Sequence, residues 1–315
     1  MGEGRVLQMT SLAHEALMYR DAPSYLDGCL PFIDRGLQSG APVLVAVPKA
    51  NGELLRRELG TRDDQVRILD MTIDGRNPGR IIPAVLHAFI EEHRGQPVHI
   101  IGEPVWPTRT AAEYPACMQH EAMINSVFDD ARASILCAYH VHDLEPEVLA
   151  DAARTHPVLV NAGQRQDSRA YTPPRAVMEL FNRPLPVPPP HAALMVFDNV
   201  DDLLELRNFV EKAARDIGLV YDRSVDLQVA ANELATNTIR HSGGPGVARV
   251  WADDGHIICD VSDGGHIPDP LAGRVPPPLS SESGRGLLLV NYLCDLVRIY
   301  TTPGATSVRV YVRLS

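Results

Sequence analysis

The sequence predicts an α/β protein in two parts, an N-terminal, mainly parallel open sheet with helices and a C-terminal layer of helices on strands. Three observations predict it. Over residues 42–154, short runs that are apolar throughout alternate with helical patterns. A proline-rich stretch, NRPLPVPPP at 182–190, then interrupts all periodicity, and beyond it helices are followed by strands of alternating character. At 315 residues the chain also exceeds the ~250–300 residues at which single cores stop growing. The expected division is a first domain at 1–181, a linker at 182–191 and a second domain at 192–315.

In the first part the runs are PVLVAVP (42–48), VRILDM (66–71), VHIIGEPV (98–105) and ASILCAYHV (133–141). They lack in-and-out alternation, as strands buried on both faces of a parallel sheet do. Helical patterns lie between them at 53–59, at 79–93 after Asn77-Pro78, and at 111–128, with a last one at 146–154. Ligands of such sheets bind beyond the carboxyl ends of the strands. That singles out Glu103 after the third run and His140, His142 and Asp143 after the fourth; His120 and Glu121 sit on the helix between. Glu103, His120 and Glu121 are the candidate contacts for a small sensory ligand, and no metal is expected at the H-x-H-D stretch.

The proline-rich linker cannot be helical, because proline lacks the amide donor and restricts the residue before it. A stiff extended connector of polyproline type is expected. A histidine autokinase needs a helical hairpin bearing the phosphoacceptor at this place, and none fits.

In the second part, the strand AALMVFD precedes Asn199, which is placed to cap a helix whose Leu203, Leu206, Val210, Ala213 and Ile217 repeat at three and four up to Gly218. A second helix, 222–240, carries the stretch AANELATNTIRH. Glu233, Asn237 and His241 recur at i, i+4 and i+8 and share one face, while Leu227, Ala230 or Ala231, Leu234 and Thr238 form the face that packs on a sheet. A carboxylate can take a proton from a hydroxyl, and an amide oxygen is a hard ligand suited to magnesium. The strands GVARVWAD and HIICDVSD follow, joined at Asp254-Gly255. The second ends in Asp263-Gly264-Gly265, where a carboxylate can accept from a purine amine and the glycines let the ring approach the backbone.

A loop rich in Pro, Gly and Ser runs from 266 to 283, long enough to serve as a lid. Gly284-Arg285-Gly286 then opens the helix LLLVNYLCDLV, whose free amides and positive dipole end suit phosphates. VRIYTTP and SVRVYVRL, around Pro303-Gly304, close the chain as two strands.

Composition narrows the function. A formal charge of -11 argues against direct nucleic-acid binding. Cys29, Cys117, Cys137, Cys259 and Cys294 are scattered without a C-x-x-C pair, as buried thiols of a reducing compartment are. MGEGRVLQMT lacks the pattern of a leader, and no apolar stretch reaches the ~18 residues of a membrane span. A cytoplasmic protein with no membrane contact is expected. Only Lys49 and Lys212 are lysines and neither follows a Gly-rich turn, which excludes a Walker-type phosphate loop.

Two resemblances add to this reading. HEALMYRDAPSYLDGCLPFIDRGLQSGAPVLVAVPKANGELLRREL, IGEPVWPTRTAAEYPACMQHEAMIN and LCAYHVHDLEPEVLADAARTHP resemble the MEDS sensory domain found in front of regulatory ATPases in actinobacteria, in patches over 12–174. The resemblance implies sensing of a small molecule and supplies no catalytic residue. The ordered set E-x-x-x-N-x-x-x-H, D-G-G and G-x-G over 192–315 closely resembles the GHKL ATPase superfamily, with its α/β sandwich of the Bergerat type. Within it, the short form is similar to the anti-sigma-factor serine kinases.

That second resemblance implies ATP and Mg2+. It makes Glu233 the general base for a substrate serine, Asn237 the magnesium ligand, Asp263 the partner of the adenine amine and Gly265 the floor beneath the ring. Gly284 and Gly286 would close on the phosphates, Arg240, His241 and Arg285 would add phosphate contacts, and Ser307 would meet the adenine edge. Two positions depart from the pattern: Ile267 replaces a glycine near the base, and Thr238 replaces a small alanine and would crowd the metal. The implied function is an anti-sigma regulator that phosphorylates a serine of an anti-anti-sigma (STAS-type) partner and sequesters a sigma factor, tuned by the first domain. A non-catalytic module that binds partners in an ATP-dependent way remains the alternative. A homodimer is an expectation from the resemblance alone.

Overall fold

The computed structural model describes residues 11–277 and 284–314. The stretch read for a leader and the last residues of the long loop lie outside the described residues. The chain forms two compact units: residues up to 75 with 84–178, and residues 76–83 with 179 onward. The expected linker therefore belongs with the second unit, as does an eight-residue segment from the first half of the sequence.

The elements of the first half are β1 (Ala13–Tyr19), α1 (Ala22–Gln38), β2 (Val43–Val47), α2 (Lys49–Leu59), β3 (Val66–Asp70), α3 (Met71–Asp74), α4 (Pro78–Ile81), α5 (His87–Glu92), β4 (Val98–Gly102), α6 (Tyr114–Val127), β5 (Ala133–His140), α7 (Pro146–Thr155), β6 (Val158–Asn161), β7 (Gln164–Asp167) and α8 (Pro174–Leu180). The sheet order is β3-β2-β4-β5-β1-β6-β7. Neighbours pair in parallel except β6 and β7, an antiparallel hairpin at the edge. Every residue of β2 is buried, as its unbroken apolar run predicts.

Two elements depart from the expectation. β1 lies inside the sheet, between β5 and β6, yet the sequence shows no apolar run there, because its second and third residues, His14 and Glu15, are buried polar groups. The helix expected at 79–93 is interrupted by a π turn, Ile82–Leu86. Pro83 lies in that turn and has no N–H to give to the regular ladder, which widens locally.

The second half contains β8 (Ala193–Phe197), α9 (Asp202–Ile217), α10 (Tyr221–His241), β9 (Gly246–Asp253), β10 (His256–Asp263), α11 (Gly286–Leu293), β11 (Leu296–Thr302) and β12 (Ala305–Arg313). The strands form an antiparallel sheet in the order β11-β12-β10-β9-β8. The start of α9 differs from expectation: Asn199 accepts from the Asp201 amide instead of capping the helix, and Asp202 takes the amides of Asp198 and Asn199. The β9–β10 turn is as read, with Asp254 and Gly255 both at positive φ.

The core lies between the helices and one face of this sheet. Leu206 and Val210 of α9 and Leu227, Ala230, Ala231, Leu234 and Ala235 of α10 meet Val250, Ile257, Cys259, Val261, Val308 and Val310. Burying each large aliphatic side chain contributes about 1.5–3 kcal/mol, and the alanines let α10 lie close to the strands. All five cysteines are free and buried. Among the described residues no helix is long and apolar enough to cross a membrane.

The segment 76–83 is held to α11 by its polar side chains. Asn77 caps α4 through the Gly79 amide and donates to the carbonyl and side-chain oxygens of Asn291 at 2.9 and 3.1 Å. Arg76 reaches Asp295 at 2.9 Å. Gly79 has no room for a side chain, since a Cβ would stand 2.1 Å from Asn291 Oδ1.

At the opposite end of the core, a Cβ on Gly246 would lie 2.2 Å from the Phe197 ring and 2.8 Å from Thr238 Cγ2. Gly246→Ala is expected to lower stability by about 1–3 kcal/mol through overpacking, read as a reduced midpoint in urea at unchanged slope.

Candidate functional site

Helix α10 sets the site. Its spacing puts Asn237 and His241 on the wall of a cavity of about 760 Å³, whose other walls come from the ends of β10 and β12, from the loop after β10, and from Gly284, Gly286 and Leu287. This volume lies within the ~300–1,000 Å³ of small-molecule sites. Leu234, Val261, Ile267 and Val308 make much of the lining apolar, with Asp263 and Asn237 as polar groups.

Asp263 is held in place from two sides. Its Oδ1 accepts the Gly265 amide at 2.7 Å and its Oδ2 accepts the Thr238 hydroxyl at 2.6 Å. Thr238 is thus a partner of the carboxylate, pointing toward the sheet, and does not crowd the Asn237 side of the helix as its departure from the family pattern suggested. Gly265 must be small, because a Cβ there would stand 2.8 Å from Asp263 Oδ1 and 3.1 Å from Ser242 Cα. Its carbonyl accepts from Thr306, which is joined to Thr301, and Thr301 accepts the Ile267 amide. Ile267 itself packs on the core.

The G-x-G motif meets the motif helix directly. A Cβ on Gly286 would lie 2.8 Å from Glu233 Oε2 and within 3.7 Å of both Asn237 side-chain polar atoms. Glycine lets the first residue of α11 stand this close to the carboxylate without displacing it. Gly284, at φ 90°, occupies the left-handed region that glycine accepts without strain. Glu233 flanks this contact and is not part of the cavity wall itself.

Three other expected residues are placed elsewhere. Arg240 and Arg285 are exposed and do not line the cavity. Ser307 faces the opposite side of the sheet and donates to Asp260 at 2.9 Å. Alternation along β12 puts its neighbours Thr306 and Val308 on the cavity instead. Sequence reasoning missed Thr301 and Thr306; the period of two in the last strand was the signal for Thr306.

In the N-terminal unit, Glu103 does lie beyond a strand end, β4, on a pocket of about 480 Å³ with Tyr19, Asn51, Trp106 and His140. Its carboxylate accepts from Tyr19 at 2.9 Å and from Asn51 at 2.7 Å. His120 and Glu121 do not join it. No residue of α6 borders the pocket; Glu121 packs instead beside His14 and His156. His140 ends its strand and takes the Asp143 amide in the turn that follows.

Burial raises the Glu103 carboxyl from the usual 4.5 to about 7, against the lowering effect of its two donors. The folded state therefore holds this proton more tightly than the unfolded chain, and the resulting stability is present below pH 4.5 and lost as pH rises through 7. Relative to Glu103→Gln, which cannot ionise, the protein is expected to lose roughly 3 kcal/mol between pH 4.5 and 8 at about 1.4 kcal/mol per unit, measured by urea unfolding of both proteins across that range.

With this geometry in hand, residues 13–157 match the MEDS family, the MEthanogen/methylotroph, DcmR Sensory domain. Residues 198–312 match the histidine kinase-like ATPase domain. No curated protein matches the chain. The solved RsbU and RsbW domains of Rv1364c from Mycobacterium tuberculosis are similar at 18% identity and a TM-score of 0.29, over 39% of this chain and 32% of that one, so the chain spans about a third of that relative. The catalytic domain of histidine kinase ThkA is similar at 13% identity and a TM-score of 0.27, over 39% of this chain and 96% of that one. The Acinetobacter baumannii histidine kinase AdeS is similar at 12% identity and a TM-score of 0.24, over 44% and 73%. Residues 13–157 are thus a MEDS sensory domain and residues 198–312 a GHKL-type, histidine kinase-like ATPase domain.

Proposed function

We propose that this protein is an ATP-dependent serine kinase of the anti-sigma type, which phosphorylates an anti-anti-sigma partner of the STAS class and captures a sigma factor, under control of a small ligand in the MEDS domain. The observation that carries the reading is the meeting of Glu233 and Asn237 with Gly286 at the positive end of α11. The reading is supported because a carboxylate able to accept a proton and an amide oxygen able to bind a hard cation stand at a helix N-terminus beside a largely apolar cavity.

The residues present fit the nucleotide and its metal. The apolar walls suit a flat base, Asp263 offers acceptor lone pairs to an exocyclic amine, and the glycines of G-x-G leave backbone amides open to phosphates. Asn237 would hold magnesium, which when bound neutralises phosphate charge. The protein's own part is to hold Asp263 through Thr238 and Gly265, to exclude water with the loop after β10, and to accept at Glu233 the proton that a substrate serine gives up as its oxygen bonds to the γ-phosphorus and ADP leaves. A histidine autokinase is disfavoured, since residues 181–192 contain no helix.

One observation favours the second reading, an ATP-dependent binding module without catalysis: Glu233 stands beside the cavity and not on its wall. Incubating the chain with Mg-ATP and candidate STAS partners separates the two, acid-stable phosphoserine being the expected product. Glu233→Ala is expected to slow transfer about 10²–10⁴-fold with nucleotide binding retained. Asn237→Ala is expected to lose magnesium-dependent binding in a titration with a fluorescent ATP analogue. Full transfer by Glu233→Ala would remove the assigned base.

A further inference from the structure

The N-terminal unit buries four side chains whose donor atoms converge. His14 on β1, Glu121 on α6, Cys137 on β5 and His156 just after α7 are all buried, and one ligand atom from each lies within 4.8 Å of the others. Glu121 Oε2 is 3.2 Å from both His14 Nε2 and His156 Nε2, and Cys137 Sγ is 3.4 Å from His14 Nε2. Bonds of ~2.0–2.1 Å to nitrogen or oxygen and ~2.3 Å to sulfur in a tetrahedron give donor separations of about 3.3–3.6 Å. The three separations of 3.2, 3.2 and 3.4 Å are close to these.

The hydrogen bonds fix which ring nitrogen is bare. His156 Nδ1 lies 2.8 Å from the Ala152 carbonyl, which can only accept, so the hydrogen is on Nδ1. Thr155 Oγ1, 3.0 Å from the same nitrogen, has the carbonyls of Asp151 and Ala152 as acceptors for its own hydrogen. His14 Nδ1 lies 3.1 Å from Asn125 Oδ1, and the orientation of that amide is set by its Nδ2 donating to the Thr155 carbonyl at 2.7 Å. As neutral imidazoles, both rings turn an Nε2 lone pair toward the carboxylate. Neither Glu121 oxygen nor His156 Nε2 has a hydrogen-bond partner. A buried carboxylate opposed by lone pairs is costly, and a cation among them turns every one of these contacts into an attraction.

We propose that His14 Nε2, Glu121, Cys137 Sγ and His156 Nε2 bind one tetrahedral divalent transition cation, for which zinc is the best match. The charge balances: a carboxylate and a thiolate offset the two positive charges of the ion, and the imidazoles are neutral, so a dry site carries no net charge. Binding releases the Cys137 proton to solvent. Four protein ligands with no open position make the site structural, and it ties β1 and β5 to α6 and to the end of α7. The carbonyl contacts at both Nδ1 atoms are the outer-shell support that metal-bound histidines require. This proposal is independent of the kinase reading.

The test uses the full chain produced with zinc supplied and then dialysed. Elemental analysis is expected to find about one zinc per chain. Replacement by cobalt(II) should give the intense visible bands of tetrahedral coordination and a near-ultraviolet thiolate-to-cobalt band, the latter absent in Cys137→Ser. Asn125→Ala, which removes the acceptor at His14 Nδ1 but no ligand atom, should weaken zinc affinity about 10–100-fold. Were Cys137→Ser not to fold, the thiolate band of the unsubstituted chain decides the ligand. Wild-type protein carrying no zinc above background, or giving only the weak spectrum of octahedral cobalt, would overturn the proposal.

Discussion

The ATPase domain depends on how closely the start of α11 can approach α10. With a Cβ at Gly286 the Glu233 carboxylate would have to move, and with it the alignment of acid, amide and helix end. The far end of the same helix is fixed by polar contacts as well as by the packing of Val290, Leu293 and Cys294 on the core. Asn291 is nearly inaccessible; it donates to the Gly273 and Leu287 carbonyls and accepts from Asn77. Asp295 gathers Arg76, Arg223 and the Arg313 amide. Burial works to raise its carboxyl, but these donors hold it below the usual range. A helix fixed at one end by a missing side chain and at the other by a buried polar network has little freedom to slide, and the loop carbonyl of Gly273 is tied to it.

The two glutamates of the MEDS domain show how one residue type is set to different tasks by its surroundings. Both are almost wholly buried. Glu103 has two donors on it and borders a pocket. Glu121 has two imidazole nitrogens, of His14 and His156, each 3.2 Å from its Oε2. The first arrangement borders a pocket at the ends of parallel strands; the second is closed within the interior.

The proline-rich stretch is more than a spacer. Pro184, Pro186 and Pro188 border a groove on the sheet face away from the helices, beside Asp260, Ser307 and Arg309. There Arg309 pairs with Asp260 at 2.9 Å and stacks over Trp251, and both charged groups are nearly inaccessible. Prolines cannot extend a sheet, for want of an amide donor, but their rings can cover it. Ser307 belongs to this network, which is why it is not at the cavity.

What the sequence determined by itself was whatever follows from period and local chemistry. The unbroken apolar runs, the face shared by Glu233, Asn237 and His241, the Asp254-Gly255 turn and the glycine before α11 were all legible, because each depends on residues within a turn or two of one another. The tertiary structure decided what depends on residues far apart. It made β1 an interior strand despite His14 and Glu15, assigned 76–83 to the second unit, turned Thr238 toward Asp263, and brought His14, Glu121, Cys137 and His156 together from four separate elements. No local pattern encodes those meetings, since the distance between two side chains is set by how whole layers pack.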